Sequence, residues 1–284
     1  MKPAPFKYAR PATLAEAYAL LAQGGDAAKV LAGGQSLVPT LNMRLSQPAA
    51  LIDINAIPGL SGIAVANGTV RIGALTRHAE IERSQVVAQH LPLVHAAMPQ
   101  IAHVAIRNRG TIGGSLALAD PAAELPACCL ALGATLVLGS PGGERRVTAT
   151  DFFRALYETA LAPGELVLAV EFPALAAGYR SSFLELTRRH GDYAIVGVAI
   201  HAKAGADRTT DARIAFFGIG STAVLARGAA AALDGKPLAE TAITAAKAAL
   251  DRDLDPLADL YHTAETKLHL AKVVLGRALA ALAA

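Results

Sequence analysis

The chain has 284 residues, 53% of them hydrophobic and 17% charged, which supports two modest domains with a sizeable core and excludes general disorder. With 26 basic and 23 acidic residues the net charge is only +3, and no Lys/Arg block or aromatic-interleaved basic stripe occurs, so nucleic acid is excluded as a partner at this level. No run reaches about 18 uninterrupted apolar residues, and Met1-Lys2-Pro3-Ala4-Pro5 opens on a polar, proline-punctuated stretch, so the expectation is a cytoplasmic protein with no membrane span.

From the N-terminus, residues 14–21 repeat apolar side chains at helical spacing behind a Thr13 cap and stop at Gly24-Gly25. Residues 27–32 suit a short buried strand. It leads into Leu31-Ala32-Gly33-Gly34-Gln35-Ser36, where Ser36 is placed to cap a helix that tolerates Pro39 in its first turn. A strand is expected over 51–54, a turn at Pro58-Gly59, and a hairpin over 65–73 around Asn67-Gly68. Helical stretches over 78–88 and 91–102 then precede a second glycine pair, Thr111-Ile112-Gly113-Gly114-Ser115. Histidines 78, 90, 95 and 103 are expected on the surface or on helix faces.

Asp120 before Pro121 suits the start of a helix. The only two cysteines, Cys128 and Cys129, are adjacent in an apolar run that reads as a buried helix, where neighbours point in different directions; they read as core residues and not as a disulfide. Two thiols also fall short of the four that an iron–sulfur cluster normally takes. Residues 132–139 are β-rich, Ser140-Pro141-Gly142-Gly143 is a turn, and 166–172 is a strand ended by Pro173. Residues 174–179 form the best linker, which sets a domain boundary near residue 176. Beyond it, 193–203 and 213–220 look like neighbouring strands, followed by alanine-rich helices, the last over 264–281. The eight histidines form no H-x-x-x-H or similar spacing with a carboxylate in reach, so neither a metal site nor a catalytic acid, base or nucleophile stands out.

The chemistry concentrates in the two glycine segments. Glycine takes positive φ and lacks Cβ, so adjacent peptide N–H groups can converge on an anion, and a following helix N-terminus adds unpaired donors. Two such segments could hold the diphosphate of a dinucleotide between them; an ordinary tight turn is the alternative for each. The pattern is not the Rossmann fingerprint, because G-x-G-x-x-G is absent.

Ala32-Gly33-Gly34-Gln35-Ser36-Leu37-Val38-Pro39, followed by Asn42-Met43-Arg44-Leu45 and Leu51-Ile52-Asp53-Ile54-Asn55, resembles the FAD-binding medium subunit of bacterial molybdenum hydroxylases, the carbon monoxide dehydrogenase and xanthine dehydrogenase group. Arg107-Asn108-Arg109-Gly110-Thr111-Ile112-Gly113-Gly114-Ser115 and Asp120-Pro121-Ala122-Ala123-Glu124-Leu125-Pro126 are similar to its second flavin segment, and Arg188-Arg189-His190-Gly191-Asp192-Tyr193-Ala194 to its flavin-ring segment. The likeness spans nearly the whole chain. One departure is Leu118, where relatives often carry histidine two residues before the Asp-Pro pair.

The resemblance implies an α+β fold: a two-lobed FAD-binding domain of the vanillyl-alcohol oxidase/cell-wall precursor reductase type over 1–176, with lobes of about 1–58 and 59–176, then a small α+β domain over 177–284. It implies FAD held non-covalently by Ala32, Gly33, Gly34, Gln35 and Ser36 on one side and by Thr111, Ile112, Gly113, Gly114 and Ser115 on the other. Asp120 and Glu124 join this set, although Asp120 reads equally as a helix cap. Tyr193 would cover the isoalloxazine ring, or else be a half-buried packing residue, and Lys29 would reach the adenine or phosphate side, or else be a solvated surface lysine.

The same resemblance implies an electron-transfer role with no substrate turnover by this chain alone. Molybdopterin would sit on a large partner subunit and two 2Fe-2S clusters on a small one, assembled as a dimer of heterotrimers. A stand-alone flavin oxidoreductase and a non-catalytic nucleotide-binding protein are the alternatives; the first needs its own acid–base group and the second predicts a colourless protein.

Overall fold

The computed structural model describes residues 2–283. It opens with β1 (Lys7–Ala9), α1 (Leu14–Gly24), β2 (Ala28–Leu31), α2 (Leu37–Asn42) and β3 (Ala50–Asp53), whose strands form a parallel sheet in the order β1-β3-β2. Thr13 caps α1 as expected, its Oγ1 accepting from the Glu16 amide at 3.2 Å while the Glu16 carboxylate accepts from the Ala12 amide at 2.8 Å. The helix buries Ala17, Tyr18 and Leu21 in a cluster with Ile52 and Ile54, and this fixes where β2 ends and the first glycine segment begins.

A second, antiparallel sheet follows. Its strands are β4 (Ile63–Ala66), β5 (Thr69–Gly73), β6 (Thr135–Ser140), β7 (Gly143–Thr148) and, after the short β8 (Phe153–Ala155) and β9 (Glu158–Thr159), β10 (Leu166–Pro173), in the order β4-β5-β10-β6-β7. Asn67 and Gly68 at φ 51° and 72° make the tight hairpin between β4 and β5. Between β5 and β6 run α3 (His78–Arg83), α4 (Gln85–His90), α5 (Pro92–Ala97), α6 (Val104–Arg107), α7 (Ile112–Leu118) and α8 (Glu124–Leu132); α9 (Ala149–Phe152) follows β7.

The helices expected over 78–88 and 91–102 are therefore broken. Ser84 ends α3 and its Oγ accepts from the Val87 amide at 3.3 Å, a local bond that restarts the helix as α4. Pro92 opens α5, and residues 98–100 tighten into a 3-10 turn containing Pro99. His78 is also not at the surface: it is 5% exposed.

The C-terminal part is a four-stranded antiparallel sheet, β11 (Tyr179–Leu186), β12 (Val196–Ala204), β13 (Thr209–Phe217) and β14 (Val224–Leu225), with α10 (Arg227–Leu233), α11 (Glu240–Asp253) and α12 (Ala264–Ala283) on one face. Strand alternation divides its side chains: Val196, Val198, Ile200, Ile214 and Phe216 face those helices, whereas Ala199, Ala215 and Phe217 join the core beneath α5 and α8. The sheet is thus covered on both faces. The strand expected over 193–203 starts later, at Val196, because Gly191 at φ +77° and the Asp192 amide bonding to the Arg189 carbonyl keep residues 189–193 in a turn. That over 213–220 begins at Thr209 and ends before Gly218, at φ +76°. Cys128 and Cys129 are buried, unpaired core thiols of α8.

Candidate functional site

β2 delivers the chain to the first glycine segment at the open end of the parallel sheet. Gly34 holds φ +73°, a value that excludes most side chains, and the Gln35 Nε2 donates to the Gly33 carbonyl at 3.1 Å. The first amides to bond onward are those of Val38, to the Gly34 carbonyl at 2.9 Å, and Thr40, to Ser36. The backbone N–H groups of Gly33, Gly34, Gln35, Ser36 and Leu37 donate to no protein atom among the described residues. A run of free amides at one bend is an anion cradle made of dipoles. Ser36 precedes α2, but its hydroxyl makes no capping bond, so it too is open to a ligand. Lys29 stands exposed on β2 with no ion pair among the described residues.

The second segment is built differently. Thr111 caps α7, its Oγ1 accepting from the Gly114 amide at 3.2 Å. The Ile112 and Gly113 amides donate to Thr76 and Ala74 carbonyls at 3.2 and 2.9 Å, and that of Ser115 to Thr111 at 3.1 Å. In this structure residues 112–115 hold all four of these amides in bonds within the fold. Gly113 is a packing glycine, since a Cβ there would lie 2.8 Å from both the Cα and the carbonyl oxygen of Ala74. Gly114 remains exposed, and Ser115 is half-buried.

The two segments nevertheless touch. A Cβ on Gly33 would lie 2.8 Å from Gly110 Cα and closer still to the Arg109 carbonyl oxygen. Asn55 Nδ2 donates to the Ala32 carbonyl at 2.9 Å, Arg77 Nη2 donates to Asn55 Oδ1 at 2.7 Å, and Arg77 Nη1 donates to the Arg109 carbonyl. Burial, then the nearby Arg109 charge, lowers the Arg77 pKa. Sequence reasoning missed Arg77, for which the only signal is an arginine just ahead of a helix.

A third element completes the cleft. Buried Arg107 binds both Glu82 oxygens, at 2.8 and 3.1 Å, and donates to the Ile101 and Ala102 carbonyls, which shapes the turn before the second segment. Gly191 docks on that turn: a Cβ there would come within 2.9 Å of the Ala102 carbonyl carbon and the His103 Nδ1. This seats the 187–193 loop beside the second segment and leaves Tyr193 72% exposed.

Asp120 does not cap a helix. Its Oδ1 accepts from the Ala122 amide at 2.9 Å in a turn, and α8 starts three residues later than expected, at Glu124. Its charge is felt by Tyr157, Tyr193 and Glu124, the last of which burial, and then Asp120, push up to about 7. Free amides at one end and a carboxyl raised toward neutrality, with exposed aromatics, at the other fit a long ligand, anionic in its middle and flat at its end.

Residues 4–175 match the FAD binding domain in molybdopterin dehydrogenase, and residues 181–282 match the CO dehydrogenase flavoprotein C-terminal domain. Among similar proteins, the 6-hydroxypseudooxynicotine dehydrogenase complex subunit alpha of Paenarthrobacter nicotinovorans is 43% identical over 281 residues, 99% of this chain and 95% of that protein. The carbon monoxide dehydrogenase medium chain of Hydrogenophaga pseudoflava is 39% identical over 98% of this chain and 97% of its own. Of solved structures, carbon monoxide dehydrogenase from the same organism superposes with a TM-score of 0.97 at 40% identity, covering 99% of this chain and 98% of that one. Quinoline 2-oxidoreductase from Pseudomonas putida 86 gives 0.93 at 37% identity, covering 100% and 98%.

Proposed function

The chain belongs to the family of FAD-binding subunits of molybdenum hydroxylases, and from that premise we propose that it binds FAD and is the exit through which electrons leave a molybdenum-containing hydroxylase complex. The observation that carries the site is the run of free amides from Gly33 to Leu37. In this reading Gly33, Gly34, Gln35 and Ser36 hold the diphosphate from one side, with Ala32 fixed by Asn55. Thr111, Ile112, Gly113 and Gly114 form the opposing wall by shape, and Ser115, Asp120 and Glu124 provide polar contacts toward the ribityl and ring end. Tyr193 covers one face of the ring, and Lys29 lies on the adenine side.

Bound FAD supplies the one- and two-electron chemistry, and the residues supply position, dryness and charge. Among the described residues no side chain beside the two glycine segments is arranged as a nucleophile or base for a substrate. The hydroxylation would take place on a large molybdopterin subunit, with two 2Fe-2S clusters on a small subunit, in a dimer of heterotrimers in the cytoplasm. Among the described residues no helix is long and apolar enough to cross a membrane. The fold type is that of the vanillyl-alcohol oxidase and cell-wall precursor reductase flavoproteins, with the boundary between domains near residue 176. Copurification of the native complex with flavin and metal analysis tests the assignment. A yellow chain in stoichiometric company with molybdenum and iron is expected, and a colourless chain without partners overturns it. Neither glycine segment contains cysteine or histidine, so denaturation should release intact FAD.

A further inference from the structure

Lys267, in the first turn of α12, is 7% exposed and is the only buried lysine among the described residues. The helix does not account for it, because the N-terminal turn carries the positive end of the dipole and disfavours a cation. Burial does not favour it either, since an apolar side chain of similar length would enter the core without losing hydration. What the ammonium does is bridge. Its Nζ donates to the Gly218 carbonyl at 3.2 Å and pairs with Asp259 Oδ2 at 2.9 Å.

Gly218 is the junction of two loops at one end of the cleft. Its amide donates to the Pro121 carbonyl at 2.8 Å, in the turn where Asp120 Oδ1 accepts from the Ala122 amide. Its other flank lies on the residue after Tyr193: at φ +76°, a Cβ on Gly218 would stand 2.7 Å from the Ala194 carbonyl oxygen. One glycine therefore touches both the Asp120 turn and the base of the Tyr193 loop, and Lys267 holds its carbonyl.

Asp259 makes that hold rigid. It lies in the 254–263 link between α11 and α12, where its Oδ1 accepts from the Tyr261 and His262 amides at 2.8 and 2.9 Å while Oδ2 receives Lys267. The link is seated on the same strand end, with the Leu257 amide donating to the Ile219 carbonyl at 2.8 Å. It also reaches the far side of the Tyr193 loop, where the Arg188 guanidinium stacks on the Tyr261 ring, 4.9 Å from its centroid. The loop is thus gripped at Arg188 and at Ala194, with exposed Tyr193 between them.

We propose that Lys267, locked by Asp259, is a positioning residue for the flat end of the cleft: through Gly218 it fixes the Asp120 turn and the Tyr193 loop relative to each other. That the flat end receives the flavin ring rests on the reading above; the coupling of the two loops does not. A buried ion pair stabilises little but fixes direction. Without the ammonium the Gly218 carbonyl is unheld, whereas the Asp259 side chain, 41% exposed, turns to water. The loops then part before the fold does.

Hydrogen–deuterium exchange of the full chain, read with and without FAD, tests this. In Lys267→Met the amides of the turn (Ala122 and Ala123) and of the loop (Asp192 and Ile195) should exchange roughly tenfold faster, the scale of one lost hydrogen bond from a charged donor, with α1 unchanged. Lys267→Arg, which keeps donors for both acceptors, should recover most of the protection. Asp259→Asn, altered at a partly exposed side chain, gives the same comparison if Lys267→Met folds poorly. Air reoxidation of the reduced, flavin-loaded chain is a second readout. Lys267→Met should speed it several-fold in the wild type and by less than about twofold in a Tyr193→Ala background, because both changes act through one loop. Exchange unaltered at either segment, a rise spread evenly over the chain, or equal reoxidation effects in the two backgrounds overturns the proposal. A chain that takes up no FAD yet shows the localised exchange overturns the flavin reading and leaves Lys267 in its role.

Discussion

Arg77 is tied to Asn55: its Nη2 donates to Asn55 Oδ1 at 2.7 Å, while the other guanidinium nitrogen donates to the Arg109 carbonyl. Asn55 in turn fixes the Ala32 carbonyl at the start of the first glycine segment. One planar fork therefore sets the distance between two loops that are 77 residues apart in the chain, measured from Ala32 to Arg109.

Removing that fork should loosen the cleft without unfolding the protein, because Arg77 is half-buried and lies outside the apolar clusters. Hydrogen bonds from a charged donor are worth about 1.5–3 kcal/mol. Arg77→Ala should therefore weaken FAD binding by roughly 10- to 100-fold, at about 1.4 kcal/mol per decade. Arg77→Lys should not restore it, since a single ammonium cannot reach both acceptors. Flavin fluorescence titration of the apoprotein checks this; wild-type affinity in Arg77→Ala would dissociate the clamp from binding.

Much of this was legible in the sequence, and the parts that were not have local causes. The Asn67-Gly68 hairpin and the Thr13 cap are decided within a few residues, and they stand where the pattern puts them. The long helices over 78–88 and 91–102 fail because Ser84 and Pro99 act on single turns that periodicity averages over. Tyr193 lies outside its expected strand because Gly191 answers to Ala102 and His103, a contact 88 residues away in the chain from Gly191 to His103. The two glycine pairs look alike in sequence, yet only the first has free amides; the second borrows its acceptors from Ala74 and Thr76, and no local pattern reveals that.

That difference separates two substitutions that sequence alone treats as equivalent. Gly33→Val presses on Gly110 and Arg109 and should spread the loops, giving a folded chain with little flavin. Gly113→Val drives a side chain into the Ala74 backbone from a fully buried position, so the fold itself should suffer, by about 1–3 kcal/mol or more on the scale of overpacked cores. Circular dichroism melting beside the ratio of flavin to protein absorbance distinguishes them. Equal melting temperatures for the two variants would contradict the distinction.

His78 should make the protein acid-sensitive. Both ring nitrogens are buried without partners, and burial, helped by the Arg107 and Arg77 charges, pushes its pKa down to about 4. The folded state then binds this proton less readily than the unfolded chain, whose value is 6.5, so stability falls as pH drops from 6.5 toward about 4 and is unaffected by this group above that window. The full span is worth about 3 kcal/mol at most. Urea midpoints measured through the window should decline in the wild type and flatten in His78→Gln; parallel slopes in both proteins would assign the acid sensitivity elsewhere.

Tyr193 can be tested apart from folding because it is 72% exposed and lies in a turn held by other residues, Gly191 and Asp192. An aromatic side chain over one face of a flat ring excludes water and dioxygen from that face and contributes stacking of about 1 kcal/mol. Tyr193→Ala should therefore cost roughly fivefold in FAD affinity, on a scale of 1.4 kcal/mol per decade, and leave the melting temperature unchanged. The reduced protein should also reoxidise in air several-fold faster than the wild type. Stopped-flow absorbance of the reduced chain mixed with oxygenated buffer measures this directly. An unaltered reoxidation rate, with flavin still bound, would place Tyr193 away from the ring and return it to a surface residue of the 187–193 loop.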